Sequence, residues 1–128
     1  MKEINICLIG FGNVARAFAR LIQRKEAEFK QKYDLAFHVT AIATNRHGRA
    51  IDPAGINIDQ AFNFYQSGKS LDGLSKVDLP ASIEEFIKLS KADILLENSP
   101  VNYETGQPAI KHIRCALEND MHAVSANK

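Results

Sequence analysis

The sequence has little cysteine, little net charge and no long apolar run, and each shortage excludes a class of protein. The two cysteines, Cys7 and Cys115, fall in a predicted strand and a predicted helix, which indicates buried small hydrophobes in a reducing compartment rather than a disulfide framework. A net charge of +1 gives no electrostatic reason to expect a nucleic-acid or membrane partner. No apolar run approaches the roughly 20 residues of a membrane span. We therefore expect a cytoplasmic protein.

Several other features are missing. The four histidines are scattered without metal-ligand spacing, so no metal site is predicted. The chain contains no internal repeat, low-complexity tract or interdomain linker, and its 128 residues suffice for one domain with a core. The N-terminus enters a predicted strand at once, so we expect no signal peptide.

The most informative pattern that is present lies near the N-terminus. An apolar strand over residues 4–9 leads into Gly10-Phe11-Gly12-Asn13-Val14-Ala15, and an amphipathic helix follows. A G-x-G-x-x-A sequence between a strand and a helix is typical of the phosphate-binding turn of a Rossmann unit. The alternative is that the glycines serve only a tight connection between strand and helix.

Each position of this turn has a physical role in binding a diphosphate. Gly10 permits the tight turn, and Gly12 lacks the Cβ that would keep a diphosphate from the backbone. Ala15 is small enough for close packing of the helix on the strand. The free amides near Asn13 and Val14, together with the helix dipole, favour a negative charge.

Hydrophobic periodicity predicts an α/β fold, a Rossmann-type parallel sheet with helices on both faces. The first helix has an apolar stripe of Val14, Phe18, Leu21, Ile22 and Phe29. A capping box begins at Ser82, and residues 67–81 are predicted to be irregular. The predicted strands cover residues 3–9, 36–44, 92–97 and 122–126, and the predicted helices cover residues 13–32, 58–66, 82–90 and 108–119.

The end of the second strand indicates which dinucleotide is bound. A carboxylate there would select NAD, whereas a cation accommodates the 2′-phosphate of NADP. The tip reads Thr44-Asn45-Arg46-His47-Gly48-Arg49, and no carboxylate appears before Asp52. Because the Arg46 guanidinium can pair with a phosphate in a bidentate way, we predict NADP(H) as the preferred cofactor, with NAD possible. The alternative is that the two arginines are solvated loop charges.

Further stretches of the sequence carry a family pattern. Their most specific parts are a P-x-N-x-x-T-G loop and a terminal A-N-K, and the stretches are residues 48–58, 97–106, 108–110, 116–119 and 124–128. Together with the glycine turn, they are similar to the cofactor domain of homoserine dehydrogenases, in particular the short, archaeal-like branch. The resemblance covers essentially the whole chain.

The resemblance implies a function and a set of site residues. The family uses NAD(P) to interconvert L-homoserine and L-aspartate 4-semialdehyde, on the route to threonine, methionine and isoleucine. It implies that Lys128 is catalytic and also contacts the cofactor. The expected cofactor-binding residues, from the glycine turn, the second strand's tip and the loop after residue 97, are Gly10, Phe11, Gly12, Asn13, Val14, Thr44, Asn45, Arg46, Asn98, Ser99, Pro100 and Lys128.

The same resemblance places the substrate-binding and dimerisation domain after the A-N-K motif. We therefore expect residues 1–128 to be an NAD(P)-binding Rossmann domain from a longer chain, with the small-molecule substrate and any homodimer contact depending mainly on the missing part. The isolated chain is expected to bind cofactor without turning over homoserine. The alternatives are another semialdehyde or imine reductase, and a stand-alone NAD(P)-sensing regulatory module.

Glu97 and His47 lie near the expected cofactor-binding residues, and each has more than one interpretation. Glu97 ends a buried strand, and we interpret it as a solvated strand-end carboxylate, with bracing of the following loop or substrate contact as alternatives. His47 is interpreted as a surface loop histidine, with membership of the phosphate pocket as its alternative.

Overall fold

The strands form one mixed sheet in the order β3-β2-β1-β4-β5 in the computed structural model, which describes residues 1–99 and 104–125. β1 pairs in parallel with β2 and β4, and β4 pairs in parallel with β5. β3 runs antiparallel to β2 at one edge. The predicted α/β fold is confirmed. The strands are β1 (Lys2–Ile9), β2 (Leu35–Ala43), β3 (Arg49–Ile51), β4 (Ile94–Glu97) and β5 (His122–Ser125).

Helices cover both faces of this sheet, as predicted. The capping interaction at Ser82 also forms, because the Ser82 hydroxyl oxygen accepts a hydrogen bond from the Glu85 amide at 3.1 Å. The helices are α1 (Asn13–Arg24), α2 (Glu26–Tyr33), α3 (Ile58–Ser67), α4 (Ile83–Ser90) and α5 (Ala109–Glu118), with a 3-10 turn at Leu71–Leu74.

Alternation along β1 divides the core into two layers. Ile6 and Leu8 pack on one face against α1 and α3, and Cys7 and Ile9 pack on the other face against α4 and α5. All four side chains are buried. β1 is therefore the central strand, and its carboxyl end lies in the middle of the edge where the glycine turn begins.

Both cysteines are buried free thiols, as expected. Burial raises the pKa of the Cys7 thiol to about 12, so this side chain stays protonated and behaves as a small hydrophobe. Burial also raises the pKa of Cys115.

The predicted helix over residues 13–32 is wrong in two respects. It is two helices that meet at Lys25, where ψ is 5°. The buried face of α1 also differs from the predicted stripe, because Val14 and Leu21 are 56% and 40% exposed whereas Ala15 and Ala19 are fully buried. Close approach of α1 to the sheet favours small side chains at these positions. The glycine-turn motif predicted this packing for Ala15, whereas the periodicity of large apolar residues missed Ala19.

Two elements were not predicted, and hydrogen bonds join the segments that contain them. Residues 49–51 form the short strand β3, and the predicted irregular stretch contains the 3-10 turn at Leu71–Leu74. The Leu71 amide donates to the His47 carbonyl oxygen at 2.7 Å, and the Arg49 amide donates to Asp72 Oδ1 at 2.7 Å. These contacts join segments more than twenty residues apart, so local sequence patterns do not reveal them.

Candidate functional site

The glycine turn connects β1 to α1 at the carboxyl edge of the sheet. Gly10 has a φ of 95°, a left-handed conformation that glycine adopts without strain. Its amide donates to the Ala43 carbonyl oxygen of β2 at 2.7 Å. Gly12 is the N-cap of α1, and no side chain of the described residues caps the first turn. The positive end of the helix therefore faces the space in front of the turn.

The two glycines have different surroundings. A Cβ on Gly10 would lie 2.6 Å from Asn98 Oδ1 and 2.9 Å from the Asn98 carbonyl oxygen, so the protein itself excludes a side chain there. A Cβ on Gly12 would meet no atom of the described residues within 4 Å, and the φ of −79° and ψ of −162° at this position suit any residue. Nothing in the described protein demands glycine at position 12, and the open space there fits a ligand that approaches the backbone.

The three neighbours of these glycines differ in exposure. Phe11 is 3% exposed, and its ring packs edge-on against Phe62 at 5.7 Å and Tyr65 at 5.6 Å between centroids. Only the backbone of Phe11 is left for contact with a ligand. Asn13 and Val14 are exposed at the start of α1, and Asn13 Oδ1 accepts a hydrogen bond from the Arg16 guanidinium at 2.7 Å.

The tip between β2 and β3 presents a cation to the same edge. The Thr44 hydroxyl donates to the Gly48 carbonyl oxygen at 2.7 Å and accepts from the His47 amide at 2.8 Å, so its side chain is committed to holding the turn. Asn45 and Arg46 are exposed. The Arg46 guanidinium forms no ion pair with any carboxylate of residues 1–99 and 104–125.

The turn and the tip border one open cavity of about 390 Å³. One wall is aromatic: the His47 ring lies 4.5 Å from the Tyr65 ring, and the Arg16 guanidinium lies 4.2 Å from the same Tyr65 centroid. His47 is thus half-buried and faces the pocket, which favours the alternative reading of this residue. Tyr65 was not predicted as a site residue, because the sequence of helix α3 contains no motif that marks it as one. The lining residues are Gly10, Phe11, Gly12, Thr44, Asn45, Arg46, His47, Tyr65 and Asn98.

Two hydrogen bonds join the loop after β4 to the end of β1 and the glycine turn. The Asn98 amide donates to the Ile9 carbonyl oxygen at 2.9 Å, and its side-chain amide donates to the Gly10 carbonyl oxygen at 3.3 Å. Ser99 is buried, with both its amide and its hydroxyl directed to Glu97 Oε1; the amide lies at 2.6 Å. Of the predicted site residues, Pro100 and Lys128 lie outside the described residues.

The interpretation of Glu97 as a solvated carboxylate is wrong. Its side chain is fully buried, with Ser99 donating to one oxygen and the His112 ring paired with the other. Burial acts to raise the pKa of this carboxyl, but hydrogen bonds from His112 and Ser99 outweigh burial and hold the pKa below its ordinary value. His112 lies fifteen positions downstream on α5, so the pairing had no local signal. The alternative, bracing of the following loop, matches the geometry.

The described ranges contain neither a cluster of metal-ligating side chains nor a membrane-spanning helix. No group of three or more histidine, cysteine, aspartate or glutamate side chains there is arranged to hold a metal ion. No helix there has the length and apolar character needed to cross a membrane.

Comparison with known proteins identifies the family to which this chain is similar. The family model for the NAD binding domain of homoserine dehydrogenase matches residues 10–128. The homoserine dehydrogenase of Methanocaldococcus jannaschii is 32% identical over 125 residues, which are 98% of this chain and 37% of that protein. The NAD(+)-dependent homoserine dehydrogenase of Pseudomonas canavaninivorans is 29% identical over 128 residues, which are all of this chain and 36% of that protein. The chain thus spans little more than a third of these relatives.

Solved structures share the fold. A homoserine dehydrogenase from Thermoplasma acidophilum matches with a TM-score of 0.71 at 24% identity, over 98% of this chain and 35% of that one. The enzyme from Thiobacillus denitrificans matches with a TM-score of 0.63 at 23% identity, over 99% and 24%. Because the family model spans residues 10–128, nearly the whole chain, the chain belongs to the homoserine dehydrogenase family, in which it corresponds to the NAD-binding domain.

Proposed function

We propose that this chain is the cofactor-binding part of an NADP(H)-dependent homoserine dehydrogenase, which interconverts L-homoserine and L-aspartate 4-semialdehyde in threonine, methionine and isoleucine synthesis. Membership of the family supports the reaction. The observation that carries the site is the space at Gly12, which no atom of residues 1–99 and 104–125 fills and which lies in front of a first turn of α1 that no side chain of these residues caps. Backbone amides at a helix start bind phosphate well.

The described residues fit a dinucleotide along the carboxyl edge. The backbone at Gly12, Asn13 and Val14 would hold the diphosphate, and the cavity beside Arg46 would take the adenosine half. The Asn98 loop borders the other side of the turn, where the nicotinamide half belongs in this fold. When bound, the nicotinamide accepts or supplies the hydride. The protein residues bind and orient it.

Lys128 is the proposed catalytic residue, on the resemblance of the terminal A-N-K. An ammonium beside the reacting carbon would stabilise the alkoxide that forms when the alcohol loses its proton, or polarise the aldehyde oxygen in the reverse direction. This role belongs to the full-length enzyme.

The electrostatics of the β2 tip support NADP(H). Arg46 is exposed at the cavity without an ion-pair partner in the described ranges, so its charge is available to a 2′-phosphate. The fold brings the Asp72 carboxylate to the tip, where it accepts a hydrogen bond from the Arg49 amide at 2.7 Å. It is not among the cavity-lining residues.

Arg46→Ala is expected to weaken NADP(H) binding about 10- to 100-fold. A hydrogen bond to a charged group contributes about 1.5 to 3 kcal/mol, and about 1.4 kcal/mol corresponds to a tenfold change. NAD(H), which lacks the 2′-phosphate, should bind within about twofold of wild type. Calorimetric titration with both cofactors measures this ratio.

Arg24→Ala provides a matched control, since Arg24 is an exposed arginine at the far end of α1. It should leave both affinities unchanged. Equal affinities of the wild type for NAD(H) and NADP(H), or an unchanged ratio in Arg46→Ala, would contradict the NADP assignment.

NAD(H) is the second candidate cofactor, favoured by the position of Asp72 beside Gly48 and by the NAD(+)-dependent relative. If Asp72 accepts from a ribose hydroxyl, Asp72→Asn should weaken NAD(H) binding more than NADP(H) binding. Under the NADP proposal that substitution leaves the cofactor ratio unchanged.

A further inference from the structure

The carboxylate of Glu97 is the most deeply buried charged group in the described ranges, and it lies next to the proposed cofactor site. One oxygen accepts from the Ser99 amide at 2.6 Å and from the Ser99 hydroxyl. The other oxygen is paired with Nδ1 of His112, a histidine that is itself 7% exposed. A buried carboxylate held by several donors fixes the groups that surround it.

These bonds begin a path of contacts that ends at the glycine turn. Glu97 holds Ser99, and Ser99 follows Asn98 in the chain. Asn98 donates from its backbone to Ile9 and from its side chain to the Gly10 carbonyl oxygen. Since Gly10 leaves no room for a Cβ beside Asn98, a displacement of this loop disturbs the turn directly.

His112 connects the same carboxylate to helix α5. Its ring lines a second cavity of about 190 Å³, on the α4 and α5 side of the sheet edge, together with Ser99, Thr44 and Arg49. Two described ionisable groups act on Glu97: His112 from α5, which pairs with it, and the Cys7 thiol from β1, whose pKa burial and the Glu97 charge both raise. Neither supplies a second carboxylate that could replace Glu97.

We propose that the buried Glu97–His112 pair is a positioning device that fixes the Asn98–Ser99 loop against the glycine turn and thereby sets the affinity for the dinucleotide. This role rests on the proposed function, because it takes the carboxyl edge as the cofactor site. Neither residue is required to touch the reacting atoms.

The test uses pairs of variants at each position. Glu97→Gln removes the negative charge and replaces one acceptor oxygen by an NH₂ donor. His112 must then change tautomer to accept at Nδ1, or Ser99 loses its acceptor, and the remaining hydrogen bonds no longer involve a charged carboxylate. We expect the Kd of this variant for NADPH, followed by cofactor fluorescence, to rise about tenfold, as for the loss of one hydrogen bond to a charged group. His112→Leu removes the ring donor and should have a similar effect. His112→Asn retains an amide donor near the position of Nδ1 and should restore binding to within about threefold of wild type.

His38 offers a control, since its Nε2 lies 3.4 Å from Glu3 Oε1 in a histidine–carboxylate pair at the opposite end of the same sheet. His38→Leu should leave the Kd unchanged. Thermal unfolding of every variant separates a loss of affinity from a loss of fold. The proposal would be overturned if Glu97→Gln and His112→Leu lowered the unfolding temperature but left the Kd for NADPH at the wild-type value. The pair would then have a structural role only.

A second measurement does not depend on the cofactor. In ¹H–¹⁵N spectra of the free protein, the amide signals of Gly10, Asn98 and Ser99 should shift in His112→Leu and return in His112→Asn. Unchanged signals would overturn the positioning role. A wild-type protein that binds neither NADPH nor NADH would instead contradict the proposed function, and these shifts would still decide whether the pair positions the loop.

Discussion

Gly12→Asp is expected to abolish cofactor binding, with a loss of at least about a hundredfold, while the protein remains as stable as wild type. The backbone at this position suits any residue, and the new side chain enters open space. Aspartate is also a better N-cap than glycine by a few tenths of a kcal/mol, and its charge is favourable at a helix start. The same carboxylate would occupy the diphosphate site and repel the diphosphate of the cofactor. Affinity should therefore fall while the stability of the protein is retained.

Gly12→Asn is the matched control, because it has nearly the same shape and capping ability without the charge. It should weaken NADPH binding less than Gly12→Asp does, and the difference between the two measures the electrostatic part. Titration of NADPH fluorescence and thermal unfolding give the two quantities. A Gly12→Asp protein that binds NADPH within threefold of wild type would show that the diphosphate does not lie at this helix start.

Gly10→Ala is expected to have the opposite pattern, with a large loss of stability of about 3 kcal/mol. The φ of 95° strains any other residue, and the new Cβ would lie 2.6 Å from Asn98 Oδ1 and 2.9 Å from a backbone oxygen that cannot move alone. Urea unfolding measures the change in free energy.

Gly68→Ala separates the two causes of that loss. Gly68 has a φ of 76° at the end of α3, but a Cβ added at this position would meet no atom of the described residues within 4 Å. Its substitution should cost about 1 kcal/mol, from backbone strain alone. If both alanine variants lose the same free energy, then contact with Asn98 is not what excludes a side chain at position 10.

The part of the site that could be predicted from the sequence is the part built from neighbours in the chain. The glycine turn, its strand and its helix lie within a few residues of one another, and Arg46 follows directly on β2. Their placement at one edge follows from parallel strand order, because the carboxyl ends of parallel strands meet there.

The remainder depends on contacts between distant segments. Glu97 looks like an ordinary strand-end carboxylate until α5 brings His112 against it. The β3 strand pairs with β2, and its Arg49 amide donates to Asp72 of a 3-10 turn more than twenty residues later, a contact that no local pattern predicts. Periodicity placed Val14 in the buried stripe of α1, which is wrong, whereas the glycine-turn motif placed Ala15 against the strand, which the burial of Ala15 confirms.

The proposed dinucleotide site lies along the carboxyl edge of this sheet. Titration of the ¹⁵N-labelled protein with NADPH decides whether a dinucleotide binds there. We expect the largest amide shifts at residues 10–14, 44–47 and 98–99, and we expect Gly12→Asp to eliminate them. Shifts confined to the cavity of about 200 Å³ beside His38 and Gly55, at the opposite end of β2, or no shifts at any NADPH concentration, would contradict the proposed site.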